Sequence, residues 1–466
     1  MTTTTKRLLA VLLAVVFFAA ACGSDGGDGG DESSSGGDAP ATPTCDTEGT
    51  LNVPEDFDTI QAAADAAAPG ALVLIAEGTY EEAVNVTCPD ITLRGIDRNE
   101  VILEGGFELE NGIRILETDG VVVENMTAQN YTGNGFFWTG ADGYRGSYLT
   151  AIRNGDYGVY AYGSVNGVFE HSYGSGSPDA GIYIGQCGDC NAVIDDFTSE
   201  WNGLGYSGTN STNVTIVNST FRHNRSGIVP NAGSYEGCAP PIRNTIVGNV
   251  ASDNGNLETS AIAVAAEFPG VGIIITGSND NIVERNRVDN NPVAGILVAP
   301  TPESDPIGPL IEEPDPNCVE DSVPVSDAEL AELPNPLVWH AHRNQVVGNV
   351  AQGNDANGGW DIMSVEPEDK ENCFADNDAA VFSPADLETV APCGGPFGVV
   401  NAESAALIGL LDANQAEPAD FETVELPDPG DLENMPDAAT APTEPARGPT
   451  EEIDVDAIQV PPAPTD

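Results

Sequence analysis

The chain has 466 residues, of which 74 are acidic and 15 basic, for a formal net charge of -59; 40% are hydrophobic and 19% charged. Those fractions are enough to bury a core. Lysine occurs only at Lys6 and Lys370 and no basic stripe can be drawn. Nucleic acid is therefore excluded as a partner, because neutralising phosphate needs clustered Lys and Arg.

Residues 1–21 read as a signal peptide. Lys6 and Arg7 precede an apolar run, 8–21, that is too short to span a bilayer. The run ends Ala19-Ala20-Ala21-Cys22, which resembles the lipobox of bacterial lipoproteins, although Ala19 stands where that motif usually has Leu. The resemblance implies a lipid on Cys22 and an anchor in the cell membrane; the alternative is ordinary cleavage after Ala21. Residues 22–44 are mainly Gly, Ser and Asp and read as a flexible tether. Setting Cys22 aside leaves eight cysteines, an even number, as expected for disulfides outside the cytoplasm. Proximity along the chain suggests Cys45–Cys88, Cys187–Cys190, Cys238–Cys318 and Cys373–Cys393. A redox role for Cys187-Gly-Asp-Cys190 is disfavoured, because nothing helical surrounds it to stabilise a thiolate.

The folded body is expected over 45–400. It opens with Asp58-Thr59-Ile60-Gln61, read as a capping box that starts an Ala-rich helix running to Ala68 and stopped by Pro69-Gly70. This helix would cap the body, with 72–75 as the first strand. Glu81 and Glu82 then read as structural or solvated acids.

A repeat follows. Gly135, Gly158, Gly181, Gly205 and Gly227 are spaced by 23, 23, 24 and 22 residues, and about ten residues before most of them runs a short β-branched strand. The pattern resumes at Asn244-Thr245-Ile246-Val247-Gly248-Asn249, at Asn281–Asn286 and at Asn344–Asn349. Such coils cannot bury their inner face alone, so they stack at strand spacing, about 4.8 Å. Asn125, Asn218, Asn249, Asn286 and Asn349 recur at one place in the repeat and suggest a stacked amide ladder. Over 48–400 the pattern resembles the right-handed parallel β-helix proteins of the pectin-lyase-like superfamily, which implies an all-β solenoid. Insertions leave it at 230–243 and 299–343. Residues 401–466, acidic and Pro-rich without periodicity, read as a mostly disordered tail.

Nine of the eleven tyrosines fall within 131–206. Alternation after each repeat glycine points Phe137, Tyr160 and Tyr183 outward in successive coils, as a sugar-binding stripe or as a structural stack. Asp156 and Asp179 fall one above the other, where two carboxylates share a proton, turn into water or hold Ca²⁺. No cofactor is otherwise required. Candidates for acid–base chemistry are His171, Asp195 and Asp196, with Arg145 and Arg153 among the few cations near enough to meet a uronate. The motif sets of the superfamily's pectate lyases and polygalacturonases are absent apart from Asp195-Asp196. Non-catalytic binding of a carbohydrate or another envelope component is therefore the favoured expectation. A polysaccharide lyase or glycoside hydrolase working in a groove along the helix is the alternative.

Overall fold

The computed structural model describes residues 42–303, 318, 336–401, 403–444, 446 and 453–464. The expected signal peptide, Cys22 and most of the tether lie outside these residues.

Each coil contributes three short strands. One coil runs Val165–Glu170, Tyr173–Ser175 and Ala180–Gly185; the next runs Ala192–Asp195, Thr198–Glu200 and Leu204–Thr209. Every strand pairs in parallel with its counterpart one coil on, so Val168 meets Val193 and Ile182 meets Tyr206. The third strands form an 11-stranded sheet. First and second strands merge into a 21-stranded sheet, because Val121–Gln129 and Asp142–Ile152 run through both positions without a break. Alternation puts Phe136, Val159, Ile182, Tyr206 and Ile228 inside, in one continuous apolar column.

The turns explain the spacing of the polar residues. Between first and second strands the chain turns through one left-handed residue per coil: Asn125, Tyr148, His171, Asp196, Asn218 and Arg285 all have φ between 49° and 57°. Asn and Asp tolerate that conformation better than most residues. The next residue points inward, and that is where the ladder forms. The Asn249 amide and side-chain Nδ2 donate to Asn286 Oδ1 (3.0 and 3.1 Å), and Asn286 donates likewise to Asn349. Parallel ladders run through Asn244, Asn281, Asn344 and Asn372, and through Asn202, Asn224, Asn254, Asn291 and Asn354. Asn125 and Asn218, expected in the ladder, sit one residue earlier, on the left-handed position. Asn218 instead donates to Asp195, and Asn125 to the Gly95 carbonyl.

The repeat glycines answer to the same ladders. A Cβ on Gly227 would lie 2.3 Å from the Gly272 carbonyl and 3.0 Å from Asn254 Nδ2. Glycine is needed there for close approach, since the coil above leaves no room for a side chain.

At the N-terminal end, helix α1 (Ile60–Ala66) packs Ile60, Ala63 and Ala64 over the open coil. Its cap is Thr59, whose hydroxyl accepts from the Ala62 amide, and not Asp58. Gln61 does not close a capping box; it donates to Asp65 and to the Asn85 carbonyl. Glu82 satisfies the Ile60 and Gln61 amides (3.1 and 3.0 Å), so this acid is structural. The first strand is Thr50–Val53, ahead of the helix, and it pairs with Leu72–Ile75. At the other end a short helix α2 (Leu387–Val390) brings Glu388 to accept from Asn377, finishing one ladder.

All four expected disulfides form. The loop over 232–241 leaves between third and first strands and carries Cys238. Thr301–Glu303 and Leu337–Trp339 pair antiparallel at the base of the longer insertion. A further excursion, 253–270, was not anticipated; it leaves between second and third strands and holds a 3₁₀ turn, Ala263–Ala266.

The tail differs from the sequence expectation of disorder in the residues described. Helix α3 (Ser404–Ala413) lays Leu407 against Val229, Ile274, Leu297 and Met363, on the outer face of the third-strand sheet. Beyond it the chain runs along the body, held by arginines that donate to its carbonyls: Arg225 to Ala416, Arg153 to Phe421, Arg98 to Glu433, Arg94 to Ala441, Arg285 to Val455 and Arg287 to Pro461. Composition misled here because the partners are backbone groups, which every sequence supplies.

Candidate functional site

The outer face of the third-strand sheet carries one column in register: Arg114, Phe137, Tyr160, Tyr183, Ser207 and Val229. From Val229 onward α3 and the 253–270 excursion cover it. Before Val229 it is a cleft floored by rings. Phe137 and Tyr160 stack at 5.0 Å and 5°, and Tyr160 and Tyr183 at 4.6 Å and 15°.

This is the expected stripe with a different surface. Rings stacked at strand spacing take each other's faces, so the column presents ring edges and hydroxyls along its length. Tyr183 does not lie on an exposed face as the alternation implied. It points outward but is only 1% exposed, because the 232–241 loop folds over it and Glu236 accepts from its hydroxyl at 2.6 Å.

Two tyrosines missed from the sequence complete the floor. Tyr162 lies parallel to Tyr160 at 6.0 Å and donates to Gln186, which also accepts from the Gly237 amide. Tyr157 leans across Tyr160 and Tyr183 at 4.7 and 5.0 Å. The i, i+2 spacing from Tyr160 to Tyr162 was a readable signal, since such residues share a face. Glu236 had none, being 53 residues from Tyr183 and on an inserted loop.

Asp156 and Asp179 flank the column in adjacent coils, and the Asp179 amide donates to the Asp156 carbonyl at 3.1 Å. Burial raises the Asp156 carboxyl to about 6. Asp179 is raised well above the usual carboxylate range by burial, then by Asp156 and Glu236, against a hydrogen bond from Tyr157. Glu236 is pushed up to about 8 by burial, so it is neutral at pH 7. The site thus joins phenols with three carboxyls whose pKa values burial raises. Among the described residues no three His, Cys, Asp or Glu side chains are grouped to hold a metal ion.

The other candidates are placed elsewhere. His171 sits at the turn between first and second strands, stacked on Tyr148 at 4.7 Å, with its Nδ1 2.7 Å from Asp196. The Asp196 hydrogen bond raises the His171 pKa, opposed by burial. Asp195 accepts from Asn218, Arg145 pairs with Glu170, and Arg153 is taken by the tail. Asp196 joins His171, while Asp195, Arg145 and Arg153 have separate partners.

Residues 111–263 match the family model described as right handed beta helix region. No curated protein matches the sequence. Among solved structures, the chain is similar to the A-module of mannuronan C-5 epimerase AlgE4 of Azotobacter vinelandii: 15% identity, 73% of this chain and 93% of that one, TM-score 0.47. The AlgE6 A-module from the same organism gives 15% identity, 68% and 88% coverage and a TM-score of 0.45. An alginate lyase from Paenibacillus sp. str. FPU-7 gives 14%, 72% and 96%, and 0.33. With parallel coils, three strands per coil and the match over 111–263, the chain is a right-handed parallel β-helix.

Proposed function

We propose that the chain is an extracytoplasmic, lipid-anchored protein that binds a neutral glycan over Phe137 and Tyr160, where the covered Tyr183 ends the open part of the ring column. The observation that carries this is the column of stacked rings edged by Tyr157, Tyr162, Asp156, Asp179 and Glu236. Ring edges and hydroxyls meet sugar hydroxyls, and carboxyls that stay protonated can both donate and accept. A neutral glycan suits the charge of -59, which repels polyuronates. Four disulfides fit an oxidising compartment, and the sequence from Lys6 to Cys22 supports export and anchoring. Ca²⁺ between Asp156 and Asp179, completed by carbonyls or water, is the alternative to a shared proton there, since the cation takes both carboxyls in their ionised form.

The test is a glycan array probed with residues 45–466, with and without Ca²⁺, beside the Phe137→Ala/Tyr160→Ala pair. Binding by the wild type that the pair abolishes supports the cleft. Binding that survives in the pair places the ligand elsewhere, and no binding to any glycan overturns the reading in favour of an envelope protein partner.

A second reading, glycoside hydrolysis or lyase chemistry in the same cleft, is favoured by Glu236, a proton-bearing carboxyl beside other acids. Turnover of a bound glycan that Glu236→Gln removes, with binding retained, would select it.

A further inference from the structure

The path of the tail over the N-terminal coils has the geometry of a bound peptide. Asn99 makes a two-point contact with residue 432: its Nδ2 donates to the Leu432 carbonyl at 3.0 Å and its Oδ1 accepts from the Leu432 amide at 2.9 Å. A carboxamide offers one donor and one acceptor spaced like a peptide unit, so it substitutes for a neighbouring strand. Three residues on, Asn125 Oδ1 accepts from the Met435 amide at 2.8 Å. Arg98 donates to the Glu433 carbonyl at 3.1 Å, and Arg94 to the carbonyls of Ala438, Ala441 and Pro442 at 3.3, 2.8 and 3.1 Å.

Two features separate this from ordinary packing of a chain end. First, the body fixes the recognising groups through bonds of its own. Arg94 is held by Glu124 at 2.7 Å, Arg98 by Thr150 and the Leu149 carbonyl at 2.7 and 2.6 Å, and Asn125 by the Gly95 carbonyl at 2.9 Å. With the tail in place Arg94 and Arg98 are 0% and 4% exposed. Second, recognition falls on the backbone of the tail. Asp431, Glu433 and Asp437 form no ion pair with these arginines among the described residues, and Asn434, which accepts from the Arg98 amide, is the one tail side chain bonded to the body in this stretch. Groups that are held in place and reach mainly the backbone of the partner are what a peptide-binding groove requires.

We propose that Arg94, Arg98, Asn99 and Asn125 form a peptide-binding groove, filled in this structure by residues 432–442 of the same chain. Its ligand is a peptide with free amides at two positions three residues apart, open over the first four residues and turning over the next five, as 436–440 do here through a left-handed Asp437. The tail is its resident occupant, and its tether gives that occupant a high effective concentration over any free peptide.

The test keeps the whole chain and disables only the occupant. Leu432→Pro/Met435→Pro removes both recognised amides and leaves the groove untouched. A fluorescein-labelled peptide of residues 430–443 (GDLENMPDAATAPT) should bind this variant at least tenfold more tightly than it binds the wild type, whose groove is filled. Adding Asn99→Ala should remove that binding, with near-UV circular dichroism unchanged. In the wild type the Leu432 and Met435 amides should be protected from hydrogen exchange, and Asn99→Ala should release the first. Equal peptide binding by wild type and double-proline variant, or a double-proline tail whose remaining amides over 433–442 stay as protected as before, would overturn the proposal.

Discussion

Tyr183 and Glu236, 53 residues apart, share a hydrogen bond of 2.6 Å that closes an inserted loop over the aromatic column. The price is a carboxyl buried beside other acids, with its pKa raised by burial to about 8 from the usual 4.5. Between those two values the folded state holds a proton that the unfolded chain has lost. Stability is therefore full below pH 4.5 and falls as pH rises toward 8, by about 1.4 kcal/mol per unit for this group. Glu236→Gln keeps the Tyr183 contact without the ionisation. Thermal unfolding of the variant should change less between pH 5 and 9 than that of the wild type, with its largest relative gain near pH 8 to 9. Parallel profiles would show that Glu236 does not carry the shift.

Tyr160 is stacked on both sides, whereas Phe137 has a ring neighbour on one side of the column only. An aromatic pair contributes about 0.5–1.5 kcal/mol beyond the area it buries. Tyr160→Ala should thus destabilise more than Phe137→Ala by more than one such pair, since Tyr157 and Tyr162 also contact Tyr160. Urea unfolding of the two variants checks this. A ligand bound to the cleft would add its own loss to both, so the comparison should be made without glycan.

Much of this architecture was legible because the solenoid repeats its physics. Gly135, Gly158, Gly205 and Gly227 recur because each lies under a carbonyl of the next coil, and Gly181 because it lies against Ser199 and Asn202; the alternation placing Phe136 inside and Phe137 outside follows from strand geometry alone. What the repeat does not encode was lost. Glu236 reaches the site from an insertion, and the position of residues 416–442 depends on arginines accepting whatever backbone arrives. A sequence places Phe137, Tyr160 and Tyr183 on a side of the sheet but says nothing of ring orientation. That orientation is set by the spacing between coils. His171, stacked on Tyr148 and bonded to Asp196, is one of a column of left-handed turn residues.

The one-residue offset in the Asn ladder has a measurable consequence. Asn286 Oδ1 accepts from the Asn249 amide and Nδ2, and its own Nδ2 donates to the Ile246 carbonyl and to Asn349, all of them buried. Asn286→Ala leaves those groups unpaired, at about 1–3 kcal/mol for each one that finds no water. Exposed Asn218 supplies a left-handed turn and one bond to Asp195. Glycine keeps that turn, so Asn218→Gly should stay within about 0.5 kcal/mol of wild type. Chemical denaturation should separate the pair by about 2 kcal/mol or more. Similar losses in both variants would mean the ladder bonds add no more than the turn does.

The disulfides should rank by the loops they close. Cys45–Cys88 spans 43 residues and ties the segment ahead of α1 to the body, while Cys187–Cys190 spans 3 within one turn. In the chain-entropy account, closing the longer loop stabilises by about 4 kcal/mol and closing the shorter by less than about 2 kcal/mol. The double variants Cys45→Ala/Cys88→Ala and Cys187→Ala/Cys190→Ala should follow that order in thermal unfolding. Loss of the first pair should also release α1 from the coil end it covers. Hydrogen exchange would then show deprotection concentrated over residues 50–66, with the coils beyond Val84 little changed. A larger loss from the Cys187–Cys190 pair would mean that this bridge holds the local turn that positions Gln186 against Tyr162 and the Gly237 amide, a role that loop entropy does not describe.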